Sequence, residues 1–323
     1  MRSIQKVAML CLLCAVAPAM AAEGYPARPI RLIVPYPAGG STNDILGRTL
    51  AQKLAEEFGQ NVIVDNRGGA GGVIGTEIAA KALPDGYTVI QGTNGPFAVM
   101  PHLVAKMPYD PFRDFQAVAM YAIVPYAIAV NPSVPAKDLR EFVAYAKARP
   151  GKVFFGTAGI ASTPHLCGEL LNLAGGVELV TVHYKGGAPA VIDTIAGQVQ
   201  MYCSGLAPLI PQAKSGKLRI LAVTTLQRSQ SMPELPTADS QGLPGFDVNS
   251  WNGIFVPRGT PPAVVKRLHD AIAKIMETPE MKRYMLEQGL EIAVKGPAEF
   301  EAYLRAESEK WGRVIKAAGI RAE

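Results

Sequence analysis

Short apolar runs of strand length alternate along the chain with longer segments in which apolar residues recur every three or four positions. Residues 30–34 are apolar except for Arg31, which is typical of a strand with buried side chains. Residues 44–59 carry leucines at a spacing of four and end in a glycine, which is typical of a helix with one buried face. This alternation predicts an α/β fold of largely parallel strands flanked by helices.

The same alternation continues over most of the sequence. It predicts further strands at residues 62–64, 88–91, 117–122, 127–130, up to 156, 178–182, 199–203, 218–223 and 251–256. It predicts helices at residues 137–149, from Pro164 and Pro189, near Pro208, and three at the end of the chain that start near Pro261, Thr278 and Gly296. The polar segment 227–245 interrupts the pattern.

We expect the closing helices to pack on the lobe formed by the first strands. The chain then leaves lobe one near Val124 and returns near residues 247–251. This predicts lobe one at residues 22–124 and 247–323, lobe two at residues 125–246, and a hinge of two crossing segments. About 300 residues are enough for two lobes that each bury a core.

The first 21 residues have the composition of an export signal. Arg2 and Lys6 precede an apolar run at residues 7–17, and Ala19-Met20-Ala21 has the small-x-small pattern of a cleavage site. The apolar run is too short to cross a bilayer, which needs about 20 residues. We therefore expect a signal peptide at residues 1–21, cleaved near Ala21, and a periplasmic protein.

The charge of the chain gives little indication of an ionic partner. The formal net charge is +5, and it falls to +3 when Arg2 and Lys6 are removed. Lysine and arginine are scattered and form no basic stripe, so we expect no nucleic-acid binding.

Two cysteines, Cys167 and Cys203, remain after the predicted cleavage. In an oxidising compartment they form either a disulfide or two free thiols. The sequence does not give the distance between their Cα atoms, so both alternatives stay open.

A glycine- and hydroxyl-rich loop, residues 35–44, follows the first strand. Ligands bind at the carboxyl ends of the strands in open parallel sheets. Glycines allow close approach to a ligand, and the free N–H groups of the following helix favour an anion. The alternative is that Ser41, Thr42 or Asn43 merely caps this helix.

A similar loop at residues 156–165 precedes a helix in lobe two. We expect Pro164 at the first helical position and Thr163 as the cap, with Ser162 and the His165 N–H at the helix start. Shorter segments at residues 92–95, 184–187 and 204–205 are either turns or further parts of the same cleft. The candidate ligand-binding residues are Tyr36, Ala38, Gly39, Gly40, Ser41, Thr42, Asn43, Asp44, Thr93, Asn94, Thr157, Ala158, Ser162, Thr163, His165, Tyr184 and Ser204.

Sequence motifs of enzymes are absent. The chain has no nucleophile elbow, zinc-protease motif or Walker-type loop, and its four histidines lack metal-ligand spacing. Glycines at residues 69, 71 and 75 are spaced one residue too widely for a dinucleotide fingerprint. We therefore predict no catalytic residues, no cofactor and no metal.

Several motifs resemble those of the Bug family, the extracytoplasmic solute receptors of tripartite tricarboxylate transporters. They occur in order along the chain, at residues 25–35, 39–40, 65–72, 84–87, 108–111, 183–186 and 311–319. The resemblance implies a type II periplasmic-binding-protein fold, with the ligand held by backbone amides, hydroxyl groups and water. It places contacts in residues 36–44 and 157–165 and at Thr93 and Asn94, with Tyr184 and Ser204 as further candidates.

The resemblance departs from the family pattern in the first loop. Three residues, Ser41, Thr42 and Asn43, separate the glycine pair from Asp44, where the pattern has two. Which of the three faces the ligand is therefore open.

Three functional hypotheses follow from the sequence. The first is a monomeric periplasmic receptor that captures a small organic mono- or dicarboxylate for membrane transporter subunits and performs no chemistry. The second is a ligand-sensing module that signals to a membrane sensor. The third is a secreted enzyme that uses His165 as a general base.

Overall fold

The computed structural model describes residues 24–39 and 42–321. The predicted signal peptide and its cleavage site lie outside the described residues, and so do Gly40 and Ser41 of the first loop. Within the described ranges, no helix combines the length and the apolar character that a membrane span requires.

The described chain alternates strands and helices. The strands are β1 (Ile30–Val34), β2 (Val62–Asn66), β3 (Thr88–Thr93), β4 (Phe115–Val130), β5 (Val153–Thr157), β6 (Leu179–His183), β7 (Met201–Gly205), β8 (Arg219–Val223), β9 (Asn249–Pro257) and β10 (Glu291–Lys295). The helices are α1 (Thr42–Phe58), α2 (Val73–Ala80), α3 (Leu139–Lys147), α4 (Thr163–Gly175), α5 (Gly187–Ile195), α6 (Leu206–Lys214), α7 (Pro262–Glu277), α8 (Pro279–Glu287) and α9 (Pro297–Ala318). The α/β alternation expected from the sequence is present.

The strands of the described residues form one mixed sheet with two halves. Its order is β2-β1-β3-β9-β4-β7-β5-β6, with β8 and β10 also paired to β4. The first half has parallel β2, β1 and β3, and the second has parallel β6, β5 and β7. In each half the strand next to the parallel set, β9 or β4, runs antiparallel to it. Each half therefore has its own parallel core and one reversed strand.

The long strand β4 differs from the prediction of two separate strands. Residues 115–125 pair with β9, whereas residues 126–130 pair with β7 and β8. Pro125 does not end the strand, because proline accepts extended backbone and costs only one N–H donor. The chain passes from one half of the sheet to the other without leaving extended conformation.

Strand β10 was not expected from the sequence. It pairs antiparallel with β4, and Ile292 lies opposite Ala122. Its residues are only partly buried or exposed, and lysine and glutamate flank a short apolar stretch. Such a segment lacks the apolar run by which a buried strand is recognised.

The closing helices pack on the first half of the sheet, as expected, and the last of them also contacts the second half. Helix α7 packs against α1 and β4. Helix α9 packs on β4, and its Phe300 packs on β9, with a ring centroid 4.8 Å from that of Phe255 and 5.3 Å from that of Trp251. It also contacts α4 of the second half. The end of the chain therefore joins both halves.

Cys167 of α4 and Cys203 of β7 form a disulfide, with their Cα atoms 6.4 Å apart. Both side chains are fully buried. This decides between the two alternatives left open by the sequence. The bond fastens α4, which carries the second glycine-rich loop, to the sheet of the second half.

Reducing this disulfide should lower the free energy of unfolding by about 3 to 4 kcal/mol, because the bond closes a loop across 36 positions and restricts the unfolded chain. Urea denaturation with and without reductant measures the change. A Cys167→Ser/Cys203→Ser variant is the control, since reductant should not shift its midpoint. Equal midpoints for the oxidised and reduced wild-type protein would contradict this account.

Candidate ligand-binding cleft

A cavity of about 530 Å³ lies between the two halves of the sheet. Residues from the first half, the second half and the crossing strand β4 line it. The predicted residues that line this cleft are Tyr36, Asn43, Thr93, Asn94, Ala158, Ser162, Thr163 and Ser204. The structure therefore brings the two glycine-rich loops together at one cavity.

Other predicted residues lie near the cleft without lining it. They are Ala38, Gly39, Thr42, Asp44, Thr157, His165 and Tyr184. Of the three residues before Asp44, the structure places Asn43 in the lining and leaves Thr42 exposed outside it, while Ser41 lies outside the described residues. Tyr184 donates its hydroxyl to Asp193 at 2.8 Å. Ligand contact by any of these residues stays a prediction.

Several lining residues were not predicted from the sequence. They are Gly71, Val99, Met100, Tyr126, Tyr202 and Ser250. Tyr202 precedes the predicted Ser204 by two positions on β7, so the two-residue period of a strand could have revealed it. Val99 and Met100 carry no such signal, because an apolar side chain next to a strand is usually core.

The buried side chain of Asp44 holds the first loop in place through hydrogen bonds. Its carboxylate accepts hydrogen bonds from the Gly39 N–H at 3.0 Å and from the Arg48 side chain at 3.1 Å. Asn66 donates to the same carboxylate at 2.8 Å and to the Tyr36 carbonyl at 3.0 Å. Burial alone would raise the pKa of Asp44, but the hydrogen bonds from Gly39, Asn66 and Arg48 outweigh it and lower that pKa. Asp44 remains charged and holds the loop in shape.

Gln91 and Gly47 bring the start of α1 to the cleft. Gln91 is fully buried on β3 and donates its amide to the Asn43 carbonyl at 2.9 Å. A Cβ atom on Gly47 would lie 2.6 Å from the Gln91 Oε1 and 2.7 Å from a Val34 methyl group. Only glycine allows α1 to approach the sheet this closely. The result is that Asn43 faces the cavity.

The second loop begins α4 with a different cap from the one expected. Ser162, and not Thr163, is the N-cap, and it accepts the His165 N–H at 3.4 Å. Thr163 and Pro164 occupy the first two helical positions. The prediction was wrong by one residue, because proline is equally compatible with the second position, whose N–H is also free at a helix start.

The Ser162 hydroxyl also donates to the Gly159 carbonyl at 2.6 Å, which closes a tight turn. Gly159 has a φ of 119° and Ala161 a φ of 59°, so both lie in the left-handed region. This conformation is uncommon for alanine. A hydrogen bond from the Ala161 N–H to the His165 Nδ1, at 3.0 Å, holds it in place.

His165 supports this turn and is not open to the cleft. Its side chain is 5% exposed, and Nε2 lies 3.5 Å from the Glu169 carboxylate. Burial alone would raise the pKa of Glu169, but hydrogen bonds from His165, Thr181 and Asn172 lower it. Because both ring nitrogens of His165 are engaged, the side chain is placed for support of the loop and not for proton transfer to a bound molecule.

Asn94 ties the cleft to the returning segment of the chain. Its side-chain oxygen accepts the Trp251 N–H at 2.9 Å, and its amide donates to the Asn249 carbonyl at 3.0 Å. The same amide lies 3.3 Å from the buried Glu307 carboxylate of α9. Asn94 therefore connects β3, β9 and the last helix at the wall of the cavity.

The described residues that line the cleft carry no formal charge. Burial raises the pKa of Tyr126 to about 12, a hydrogen bond with Thr163 opposes this, and nearby Tyr202 and Tyr36 add to it. Burial also raises the pKa of Tyr36, whose hydroxyl lies 2.5 Å from that of Thr93. The tyrosines therefore stay protonated at neutral pH. Among the residues with described positions, no cluster of three or more His, Cys, Asp or Glu side chains could hold a metal ion.

The sequence profile of the tripartite tricarboxylate transporter family receptors matches residues 46–320. Three solved structures are similar over most of the chain. Rpa4515 from R. palustris, solved with adipate, has 37% identity and a TM-score of 0.79, covering 92% of this chain and 99% of that one. The periplasmic binding protein BugD has 36% identity and a TM-score of 0.75, covering 93% and 100%. MatC from Rhodopseudomonas palustris, solved with malate, has 30% identity and a TM-score of 0.74, covering 90% and 100%.

These similarities confirm the expected type II periplasmic-binding-protein fold with two lobes. They also confirm the resemblance to the Bug receptors that the motifs indicated.

Replacing His165 by leucine should loosen the turn at residues 159–162, because the Ala161 N–H loses its acceptor. Hydrogen exchange of peptides spanning this turn should become about fivefold faster, the effect of losing one hydrogen bond of about 1 kcal/mol. His165→Asn should restore most of the protection, since its side-chain oxygen lies near the position of Nδ1.

His269→Leu is the matched control, because His269 lies on α7, away from this turn. Unchanged exchange at residues 159–162 in His165→Leu would show that the histidine does not support the turn.

Proposed function

The chain belongs to the tripartite tricarboxylate transporter receptor family, and from this premise we propose that it captures a small organic carboxylate for the membrane subunits of such a transporter. The family is one of periplasmic solute-binding receptors. The observation that carries the proposal is a cavity between two lobes, lined by hydroxyl and amide side chains and by the first turns of two helices. No step of the proposal requires a chemical reaction.

The two helix starts favour an anionic ligand. Asn43 lies in the first turn of α1 and Thr163 in the first turn of α4, and both residues line the cavity. Free N–H groups at a helix start favour an anion by about 0.3 to 2 kcal/mol, depending on burial. Rpa4515 and MatC were solved with adipate and malate, and both molecules are carboxylates. A carboxylate is therefore the ligand class that this cleft fits best.

Closure of the lobes would complete the site. We assign lobe one to residues 22–124 and 247–323 and lobe two to residues 125–246. In support, the pairing of β4 changes partners between Pro125 and Tyr126. The returning segment is joined to this point through Thr224, whose N–H donates to the Tyr126 carbonyl at 2.9 Å and whose carbonyl accepts the Val248 N–H at 2.9 Å. Rotation about these two segments would bring the loops of both lobes onto one ligand, in a monomer and without a cofactor.

Within this proposal, the ligand contacts are the lining residues that carry hydroxyl or amide groups. They are Tyr36, Asn43, Thr93, Asn94, Tyr126, Ser162, Thr163, Tyr202, Ser204 and Ser250. Asp44 and His165 act through the loops that they hold. Gly40 and Ser41, which lie outside the described residues, stay predicted contacts of the first loop.

Protein freed of bound ligand by unfolding and refolding should bind at least one small carboxylate with a stoichiometry of one, as measured by isothermal titration calorimetry over a panel of mono- and dicarboxylates. Tyr36→Phe should weaken that binding about three- to tenfold, because one hydroxyl at the cleft is lost. Tyr145→Phe, on α3 and outside the cleft, should bind like the wild type. The absence of heat from every carboxylate would count against the proposed function.

A periplasmic receptor should be recovered from a periplasmic extract without its first 21 residues. Mass spectrometry of the purified protein should give a mature start near Ala22, as the small-x-small pattern predicts. A chain that retains Met1 and stays in the cytoplasmic fraction would contradict delivery to a transporter from the periplasm.

A further inference from the structure

The cleft has two apolar patches in addition to its polar groups. Val99 and Met100 line it from the first lobe, and Ala158, Ile160 and Ala161 line it from the second. Met100 lies beside the segment between β2 and α2, since a Cβ atom on the lining residue Gly71 would be 3.2 Å from its sulfur. A ligand in the cavity is therefore exposed to apolar side chains from both lobes.

Ile160 lies in a turn that contains an alanine with left-handed backbone, which is uncommon for a residue with a side chain. Its side chain is 38% exposed although it is a large apolar group. The residues on either side, Gly159 and Ala161, both have left-handed backbone, and His165 fixes the second of them. Sparsely populated backbone of this kind is typical of functional sites, where the surrounding structure holds it in place. The turn thus presents an apolar side chain that the rest of the protein covers only in part.

Several polar groups of the cleft already have partners within the protein. The Tyr36 hydroxyl is bonded to that of Thr93 at 2.5 Å. Asn94 uses both its oxygen and its amide on the returning segment. A ligand body rich in hydroxyl groups would either leave those hydroxyl groups without hydrogen-bond partners or break the hydrogen bonds of Tyr36 and Asn94. Both outcomes cost binding free energy in a closed site.

We propose that the carboxylate bound by this cleft is attached to an apolar body, an aliphatic chain or a ring, which packs between Ile160 and Met100. Contact with Ile160 then makes a carboxylate with an apolar body bind more tightly than a carboxylate with a hydroxylated body. This inference rests on the proposed function, because it takes the carboxylate as given and concerns the rest of the ligand.

The test compares ligands that differ only in the polarity of their bodies. Adipate and galactarate share six carbons and two carboxylates, and galactarate adds four hydroxyl groups. Hexanoate and gluconate form the corresponding pair with one carboxylate. Calorimetry should show the apolar member of the pair binding at least tenfold more tightly.

Variants locate the source of this preference. Ile160→Thr keeps the branched shape and adds a hydroxyl, so it should reduce the preference at least threefold. Met100→Gln tests the opposite wall and should reduce the preference in the same direction. Ile192→Thr is the matched control, because Ile192 is 64% exposed on α5 and does not line the cleft. Melting curves of all three variants show whether the fold is kept, which the exposure of Ile160 leads us to expect.

The outcomes separate this inference from the proposed function. Equal or tighter binding of galactarate or gluconate would overturn the apolar preference while leaving carboxylate capture intact. A preference that survives in both Ile160→Thr and Met100→Gln would overturn the assignment to these side chains. Failure of every carboxylate to bind would overturn the proposed function, and this inference with it.

Discussion

The cleft depends on one strand that serves both halves of the sheet. Strand β4 pairs with β9 up to Pro125 and with β7 and β8 from Tyr126 onward. Because its backbone hydrogen bonds are used on both sides of this point, β4 holds the two halves in a fixed order. The residue at the change of partners, Tyr126, also lines the cavity. The position of the cleft is therefore a consequence of where β4 exchanges its neighbours.

A buried polar network reinforces this junction from the side of the returning chain. Asn94 is bonded to β9 and lies beside Glu307, which also accepts the Trp311 indole N–H at 3.0 Å and pairs with Lys310. Burial raises the pKa of Glu307, an effect that the Lys310 charge opposes. Breaking one member of such a group leaves an unpaired buried partner, which is costly. The network therefore fixes the wall of the cleft that Asn94 forms, and motion of the lobes has to occur around it.

The sequence predicts the order of the elements well and the contacts across the cleft only in part. Strand β1 has the predicted bounds, because a stretch that is apolar except for Arg31 ends at a proline and a glycine-rich loop. The loops that carry Asn43 and Ser162 could be predicted, since each is rich in glycine and hydroxyl residues and lies between a strand and a helix, where ligands bind in parallel sheets. Met100 and Tyr126 could not, because their places follow from the packing of distant segments. His165 illustrates a different limit of sequence-based prediction. The sequence places it beside the second loop, but its hydrogen bond with Ala161 depends on left-handed backbone at Ala161, which the sequence does not predict.

The neutral lining of the cleft suits a receptor that has to release what it binds. A lysine or arginine in the cavity would add a charge-assisted bond of about 1.5 to 3 kcal/mol to a carboxylate, on top of what helix starts and hydroxyl groups provide. Helix starts contribute less each, about 0.3 to 2 kcal/mol, and their N–H groups return to water when the lobes open. Affinity is then divided between two lobes and is assembled only on closure. In the proposed receptor each half alone would hold the anion weakly, so opening of the lobes would release it without an ion pair having to be broken first.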